Sequence, residues 1–339
     1  MSETLRTPDA LADQGLIPPE AVQALRPVAA RYAVAVTPAL AALIPPRAPD
    51  DPLARQFLPS AQELVEAPEN RSDPTGDAAH TPVKGVVHRY PDRVLLKPTH
   101  TCAVYCRFCF RREIVGPDGA GNLTPEELDA ALGYIASRPE VWEVILTGGD
   151  PLVLSPRRLG GILARLSEVA HVKVLRLHTR VPVADPAAIT AELVDCLRVP
   201  RQPLYIAIHA NHPRELTPQA RAALARLAEA GLPLLSQTVL LRGVNDDPEV
   251  MAELMRAFVE SRVRPYYLHH LDPAPGAAHF RVGLEEGQAI VRALRGRVSG
   301  LAQPTYVLDI PGGYGKVPIG PSYLAPDGID DPWGARHRL

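Results

Sequence analysis

Residues 93–112 read RVLLKPTHTCAVYCRFCFRR, an apolar run between Arg93 and Lys97 followed by a polar bend and three crowded cysteines, Cys102, Cys106 and Cys109. Three thiolates on one short loop can ligate three irons of a cubane cluster and leave the fourth iron open to a small chelating molecule. A zinc site would want a fourth Cys or His at matching spacing. His100 only precedes the loop, and Cys196 lies far along the chain on a predicted helix. The chain holds four cysteines in all, and this distribution suits a metal centre better than a disulfide framework. A reducing cytoplasm is therefore expected.

Outward from this loop, short β-branched and apolar runs alternate with helix signals. Strands are predicted at Arg93–Lys97, Glu143–Leu146, Lys173–His178, Leu204–Ile208, Leu234–Leu240 and Pro265–Leu271. The intervening helices share one kind of start. Thr124-Pro125, Ser155-Pro156, Asp185-Pro186, Thr217-Pro218 and Asp247-Pro248 each place a capping oxygen before a proline at the first helical position. Thr124 with Glu127 also makes a capping box, and Gly231 suits a left-handed helix end. Six strand–helix units in a row predict an α/β fold, a partial (β/α)6 TIM-like barrel.

Residues 1–85 are rich in Ala, Leu and Pro and read as an N-terminal helical region, residues 86–325 as the barrel, and residues 326–339 as a polar tail. The apolar stretch Tyr32–Ile44, interrupted by Pro38, reads as a packed helix pair too short to cross a bilayer. The first residues carry no basic and apolar leader pattern. Lys+Arg 36 against Asp+Glu 38 leaves the net charge near zero, which argues against nucleic acid or an anionic membrane as partner.

The Cys-x3-Cys-x2-Cys spacing resembles the radical S-adenosylmethionine superfamily. Its members hold a 4Fe-4S cluster and cleave S-adenosyl-L-methionine to a 5′-deoxyadenosyl radical. Thr147-Gly148-Gly149-Asp150, after the second predicted strand, resembles that superfamily's motif for the methionine amino group, so Gly148, Gly149 and Asp150 are implied as contacts. The segments HRYPDR at 88–93, RFCFRR at 107–112, SQTVLLRGVND at 236–246, RPYYLHHLD at 264–272 and PTYVLDIPGGYGK at 304–316 are similar to those of the lysine 2,3-aminomutase family. The likeness runs from about Arg89 to Tyr323. It implies an isomerase that converts L-lysine to β-lysine with pyridoxal 5'-phosphate as second cofactor. An external electron donor such as flavodoxin or ferredoxin is implied too, and homo-oligomerisation stays open. Two relatives of this chemistry remain in view: enzymes serving elongation factor P modification, and 2,3-aminomutases acting on arginine or glutamate. A non-catalytic iron-sulfur protein is the rival from another class. The chain lacks the C-terminal zinc-binding cysteines of the family's long members, and Asp247 stands where they place another zinc ligand.

Several site residues can be read on chemistry as well. Lys316 follows a Pro-Gly-Gly-x-Gly turn free of bulky side chains, so its amine can reach a cofactor aldehyde; the resemblance makes it the Schiff-base lysine. Arg89, Tyr90 and Arg93 bring two guanidinium forks and a phenol to one strand end, suited to a phosphate. Asp272 and Asp309 each end an apolar run, and two carboxylates at a partly buried rim need a cation between them. By resemblance that cation is the substrate ε-ammonium. Arg111 matches the family's binder of the substrate carboxylate, and Arg180, His209, Asn211 and Gln237 are further candidates for contact with S-adenosylmethionine.

Overall fold

The computed structural model describes residues 3–116 and 121–338. A nine-stranded sheet runs in strict sequence order: β1 (Val86–Tyr90), β2 (Arg93–Thr99), β3 (Glu143–Gly148), β4 (Val174–Thr179), β5 (Leu204–His209), β6 (Leu234–Val239), β7 (Val263–His269), β8 (Thr305–Ile310) and β9 (Gly315–Pro318). Neighbours from β2 to β8 pair parallel. The outermost strands β1 and β9 pair antiparallel with their neighbours, so each edge is finished by a hairpin. Six helices follow the six expected strands: Pro125–Ala136, Pro156–Ser167, Ala191–Leu197, Pro218–Glu229, Pro248–Glu260 and Leu284–Leu294. That is the anticipated six strand–helix units, with three more strands at the edges.

The sheet curls until its first and last strands meet through side chains. Arg89 on β1 pairs with Asp309 on β8 at 3.1 Å, and the Lys316 backbone N–H on β9 donates to the Tyr90 hydroxyl at 2.7 Å. Among the described residues no strand pairing joins β1 to β9. This is a barrel with an open seam.

Local sequence explains most of the helices. Thr124, Ser155, Thr217 and Asp247 accept from backbone N–H groups of their first turns, ahead of a proline that needs no partner for its nitrogen. Thr124 and Glu127 complete the expected capping box, and Gly231 has φ +82°. The helix Pro156–Ser167 buries Leu159, Ile162, Leu163 and Leu166, one stripe at helical spacing against the sheet.

One predicted start fails. After Asp185-Pro186 only a three-residue turn forms, without a side-chain cap from Asp185. Ile189 leaves helical geometry at ψ 70° to bury itself in the core, and Thr190 then caps the true helix Ala191–Leu197. Core burial outweighs a local cap here.

The N-terminal region forms a second apolar core of its own, from Leu11 to Leu58, which also takes in Val104 of the cysteine loop and Ala184. The predicted helix pair over Tyr32–Ile44 is instead a bend with one helical turn, Pro38–Ala41. Val36 bridges back to Leu5 as an isolated strand pair, so tertiary pairing takes the backbone groups that a helix would have used. Beyond the barrel, the polar C-terminal stretch folds into a small sheet of β10 (Leu324–Ala325), β11 (Gly328–Asp330) and β12 (Arg336–His337). Among the described residues no helix is long and apolar enough to cross a membrane.

Candidate active site

A cavity of about 550 Å³ occupies the interior of the curled sheet and the loops at its strand ends. The sixteen candidate residues other than Asn211 line it, from Arg89 at the β1 edge to Lys316 on β9. Asn211 stands outside. It is fully buried, with its Nδ2 donating to Gln56 Oε1 at 3.0 Å and its Oδ1 accepting from the Val239 backbone at 2.9 Å.

The cysteine loop leaves β2 and is held from two sides. On the barrel side, the Gly149 and Asp150 backbone N–H groups donate to the carbonyls of Thr99 and Thr101 at 2.7 and 2.9 Å. Gly148 adopts φ +105°, where a side chain would be strained and would also meet Thr99. The Gly-Gly-Asp turn therefore braces the loop that carries the cysteines. Asp150 itself is spent inside the protein, accepting from Leu152 N, Thr179 Oγ and Arg180 N. On the other side, the N-terminal region supplies the Ala35 and Gln56 carbonyls to the loop's Tyr105 and Arg107 backbone N–H groups.

Between these two supports lies a charge cluster that sequence reading missed. Glu63, wholly buried, receives both Arg107 and Arg112, which flank Cys109. Arg107 also donates to the Ala33 carbonyl at 2.8 Å, and Arg112 lies 3.7 Å over the Tyr32 ring. Burial alone would raise the Glu63 carboxyl, but Arg107 and then Arg112 bring it below its usual range.

All three cysteine thiols are free and line the cavity. Burial pushes each of them up, Cys106 to about 11 despite the Arg180 cation beside it. Thiols this desolvated ionise only when metal charge replaces the lost water. Among the described residues no three His, Cys, Asp or Glu side chains are close enough to share a single metal ion. Ligands of a cubane sit on separate irons, so three thiolates from one loop that line one cavity fit such a cluster.

At the seam, Lys316 Nζ pairs with Asp309 and lies 3.2 Å from His269 Nδ1. Burial first, then Lys316, hold the His269 ring well below its usual range, so the ring is neutral and Nδ1 can accept. Asp309 is shared with Arg89. Arg93 stacks 3.8 Å over the Tyr90 ring. Asp272 lies three residues beyond β7, past the predicted strand end, and makes no side-chain hydrogen bond or ion pair among the described residues. Burial, then the neighbouring Asp309, push its carboxyl up to about 7. Arg111 pairs with Asp77 at 3.1 Å, and Lys97 approaches the same carboxylate at 3.6 Å.

Several buried nitrogens on the cavity wall have no partner, among them His209 Nε2, His269 Nε2 and Arg111 Nε. Unpaired polar atoms of this kind are costly unless something polar comes to meet them. Burial and then Arg180 take the His209 ring down to about 3, so it too is neutral. Gln237 Nε2 lies 3.4 Å from His178. These unfilled donors and acceptors suit polar cofactors and an amino acid substrate.

Comparison with known proteins agrees with this geometry. A model described as "Radical SAM superfamily" matches residues 96–255, and one described as "Lysine-2,3-aminomutase" matches residues 291–330. The chain is 44% identical to the L-lysine 2,3-aminomutase of Clostridium subterminale, over 86% of this chain and 70% of that protein. The chain belongs to the lysine 2,3-aminomutase family. It is likewise 43% identical to a putative L-lysine 2,3-aminomutase of Aquifex aeolicus, covering 90% of this chain and 82% of the relative. It is also 37% identical to the glutamate 2,3-aminomutase of Clostridioides difficile, covering 90% and 72%. As a radical S-adenosylmethionine aminomutase it is an isomerase that works with a 4Fe-4S cluster, S-adenosyl-L-methionine and pyridoxal 5'-phosphate.

Proposed function

We propose that this aminomutase converts L-lysine to β-lysine. The observation that carries the substrate choice is the pair Asp272 and Asp309 lining one cavity, the first without a partner among the described residues and pushed toward neutrality by burial and then by the second. A substrate ammonium would neutralise Asp272 and could take over Asp309 once its partners Lys316 and Arg89 turn to the cofactor, whereas a glutamate side chain would bring a third carboxylate to the same place. Arg111 would take the substrate carboxylate as a guanidinium fork, fixing the other end of the amino acid. Asp77, which pairs with Arg111 at 3.1 Å, would yield the guanidinium to that carboxylate.

Cys102, Cys106 and Cys109 would hold the cluster. Gly148, Gly149, Asp150, Arg180, His209 and Gln237 would surround S-adenosylmethionine, with Asn211 supporting from behind. Arg89, Tyr90 and Arg93 would bind the phosphate of pyridoxal phosphate, and Lys316 would anchor its aldehyde carbon. When bound, the cluster and S-adenosylmethionine supply hydrogen-abstracting one-electron chemistry, and the pyridine ring delocalises the unpaired electron. The chain's own work is positional and protolytic. Asp309 and His269 are both placed to take a proton from Lys316 Nζ, which frees the amine as a nucleophile. The buried walls keep water from the reacting atoms. An external one-electron donor such as a flavodoxin or ferredoxin, and a reducing cytoplasm, complete the reading.

The deciding experiment is anaerobic turnover of reconstituted protein with L-lysine, S-adenosylmethionine and a reductant, read by mass spectrometry. β-Lysine is the expected product, and replacement of the three loop cysteines by serine should abolish both iron binding and turnover. Inertness toward lysine with turnover of arginine or glutamate would overturn the substrate reading.

The pH dependence of substrate binding provides a further check. A substrate ammonium binds the ionised Asp272, whose acid form is favoured below about pH 7. Each pH unit below that value should raise KM for lysine by up to about tenfold, with no such slope above it. In Asp272→Asn this component of the slope should vanish while KM rises across the range. An identical pH profile in wild type and variant would remove Asp272 from substrate binding.

A further inference from the structure

We propose that Arg180 is an outer-sphere cation of the iron-sulfur centre, donating to the Cys106 sulfur and thereby raising the cluster's reduction potential. This rests on the reading that Cys102, Cys106 and Cys109 hold the cluster. Arg180 directly follows β4 and is almost wholly buried. Its Nη1 donates to Cys106 Sγ at 3.3 Å. Cys102 and Cys109 are met by the backbone of Asp150 and Arg111, whereas among the described residues Cys106 alone receives a charged side-chain donor at sulfur.

The guanidinium is held through both of its Nη atoms. Nη2 donates to Gln56 Oε1 at 2.8 Å and to the Glu215 carboxylate, and the Arg180 backbone N–H donates to Asp150 at 2.7 Å. Glu215 is fixed in turn by the Asn211 and His212 backbone N–H groups at 2.8 and 3.0 Å. Phe57 and Phe108 flank the guanidinium carbon at 4.7 and 5.6 Å from their ring centroids. With both Nη atoms engaged, Arg180 has only Nε left without a partner.

An iron-sulfur cluster becomes more negative when reduced, and hydrogen bonds to its sulfurs and fixed charges nearby set its potential. The positive end of the Arg180–Glu215 pair faces the cysteine and its negative end faces away. The apolar rings beside it limit screening, so the field at the sulfur is strong. The reduced state gains most. Gln56 belongs to the N-terminal region, which through this chain of contacts reaches the electronic centre of the barrel.

The test is a potentiometric titration of the reconstituted protein without S-adenosylmethionine, followed by electron paramagnetic resonance of the reduced cluster. Wild type is compared with Arg180→Lys, Arg180→Gln and the double variant Arg180→Gln/Glu215→Gln, which does not strand the Glu215 carboxylate. Both Gln-bearing proteins should titrate at more negative potentials with altered signal shape, and Arg180→Lys should fall between them and wild type. Unchanged potentials in iron-loaded variants would overturn the proposal. So would unchanged potentials accompanied by weaker S-adenosylmethionine affinity, which would leave Arg180 a contact of S-adenosylmethionine with no part in tuning the cluster. Loss of iron from all three variants would also overturn it, leaving Arg180 a structural brace. If wild type binds no iron, or the serine variants of the three cysteines still bind it, the underlying reading fails instead.

Discussion

Glu63→Ala should destabilise the protein by about 3–5 kcal/mol, because it strands two buried guanidiniums that have no solvent to turn to. Arg107 and Arg112 both depend on this carboxylate, and both flank Cys109 on the loop that carries the cysteines. The loss should appear as a lower denaturant midpoint at unchanged slope. Less iron per chain after anaerobic reconstitution should accompany it. A control separates charge from shape: Glu63→Leu combined with Arg107→Met and Arg112→Met removes the charges together, and packing of similar volume should recover much of the stability. A single Glu63→Ala protein as stable as wild type would mean that the triad contributes nothing to the fold.

Lys316→Ala should abolish covalent retention of pyridoxal phosphate and reduce turnover by at least about 10³-fold, the scale seen when a covalent catalytic group is removed. Borohydride treatment followed by peptide mapping reads this directly, since wild type should be modified at residue 316 and the variant nowhere. The fold should survive. Lys316 is partly exposed at the seam, and its partner Asp309 keeps Arg89 as a counter-charge when the ammonium is gone. Modification of another lysine in the variant, with activity retained, would end the assignment.

Local chemistry made much of this architecture legible. A capping oxygen before a proline carries its meaning in two adjacent residues, and four of the five such signals start the helices they announce. The three cysteines and the glycine-rich approach to Lys316 are equally local. The edge strands were harder to see. β1 and β9 are five and four residues long, and they are strands because they lie beside β2 and β8, not because of alternation in their own sequences. Ser60 and Glu63 form a capping box legible in sequence, but nothing local says that Glu63 also meets two arginines of the cysteine loop until the fold brings them against it. Asp77 was hidden in a polar stretch for the same reason. His269 lies within RPYYLHHLD, but its role depends on Lys316, 47 residues away.

The open seam has a consequence for how a cofactor gets in. Elsewhere around the wall, neighbouring strands are joined by ladders of backbone hydrogen bonds that break only together. Between the first and last strands the wall is fastened by the Arg89–Asp309 pair and the Tyr90–Lys316 contact. Such bonds are worth about 0.5–1.5 kcal/mol each, or up to about 3 when a charge takes part. Together with Gly76 packed on the backbone of Gly312 and Gly313, these contacts close the seam without a ladder, and the two fasteners belong to the same groups that would grip the arriving phosphate and aldehyde.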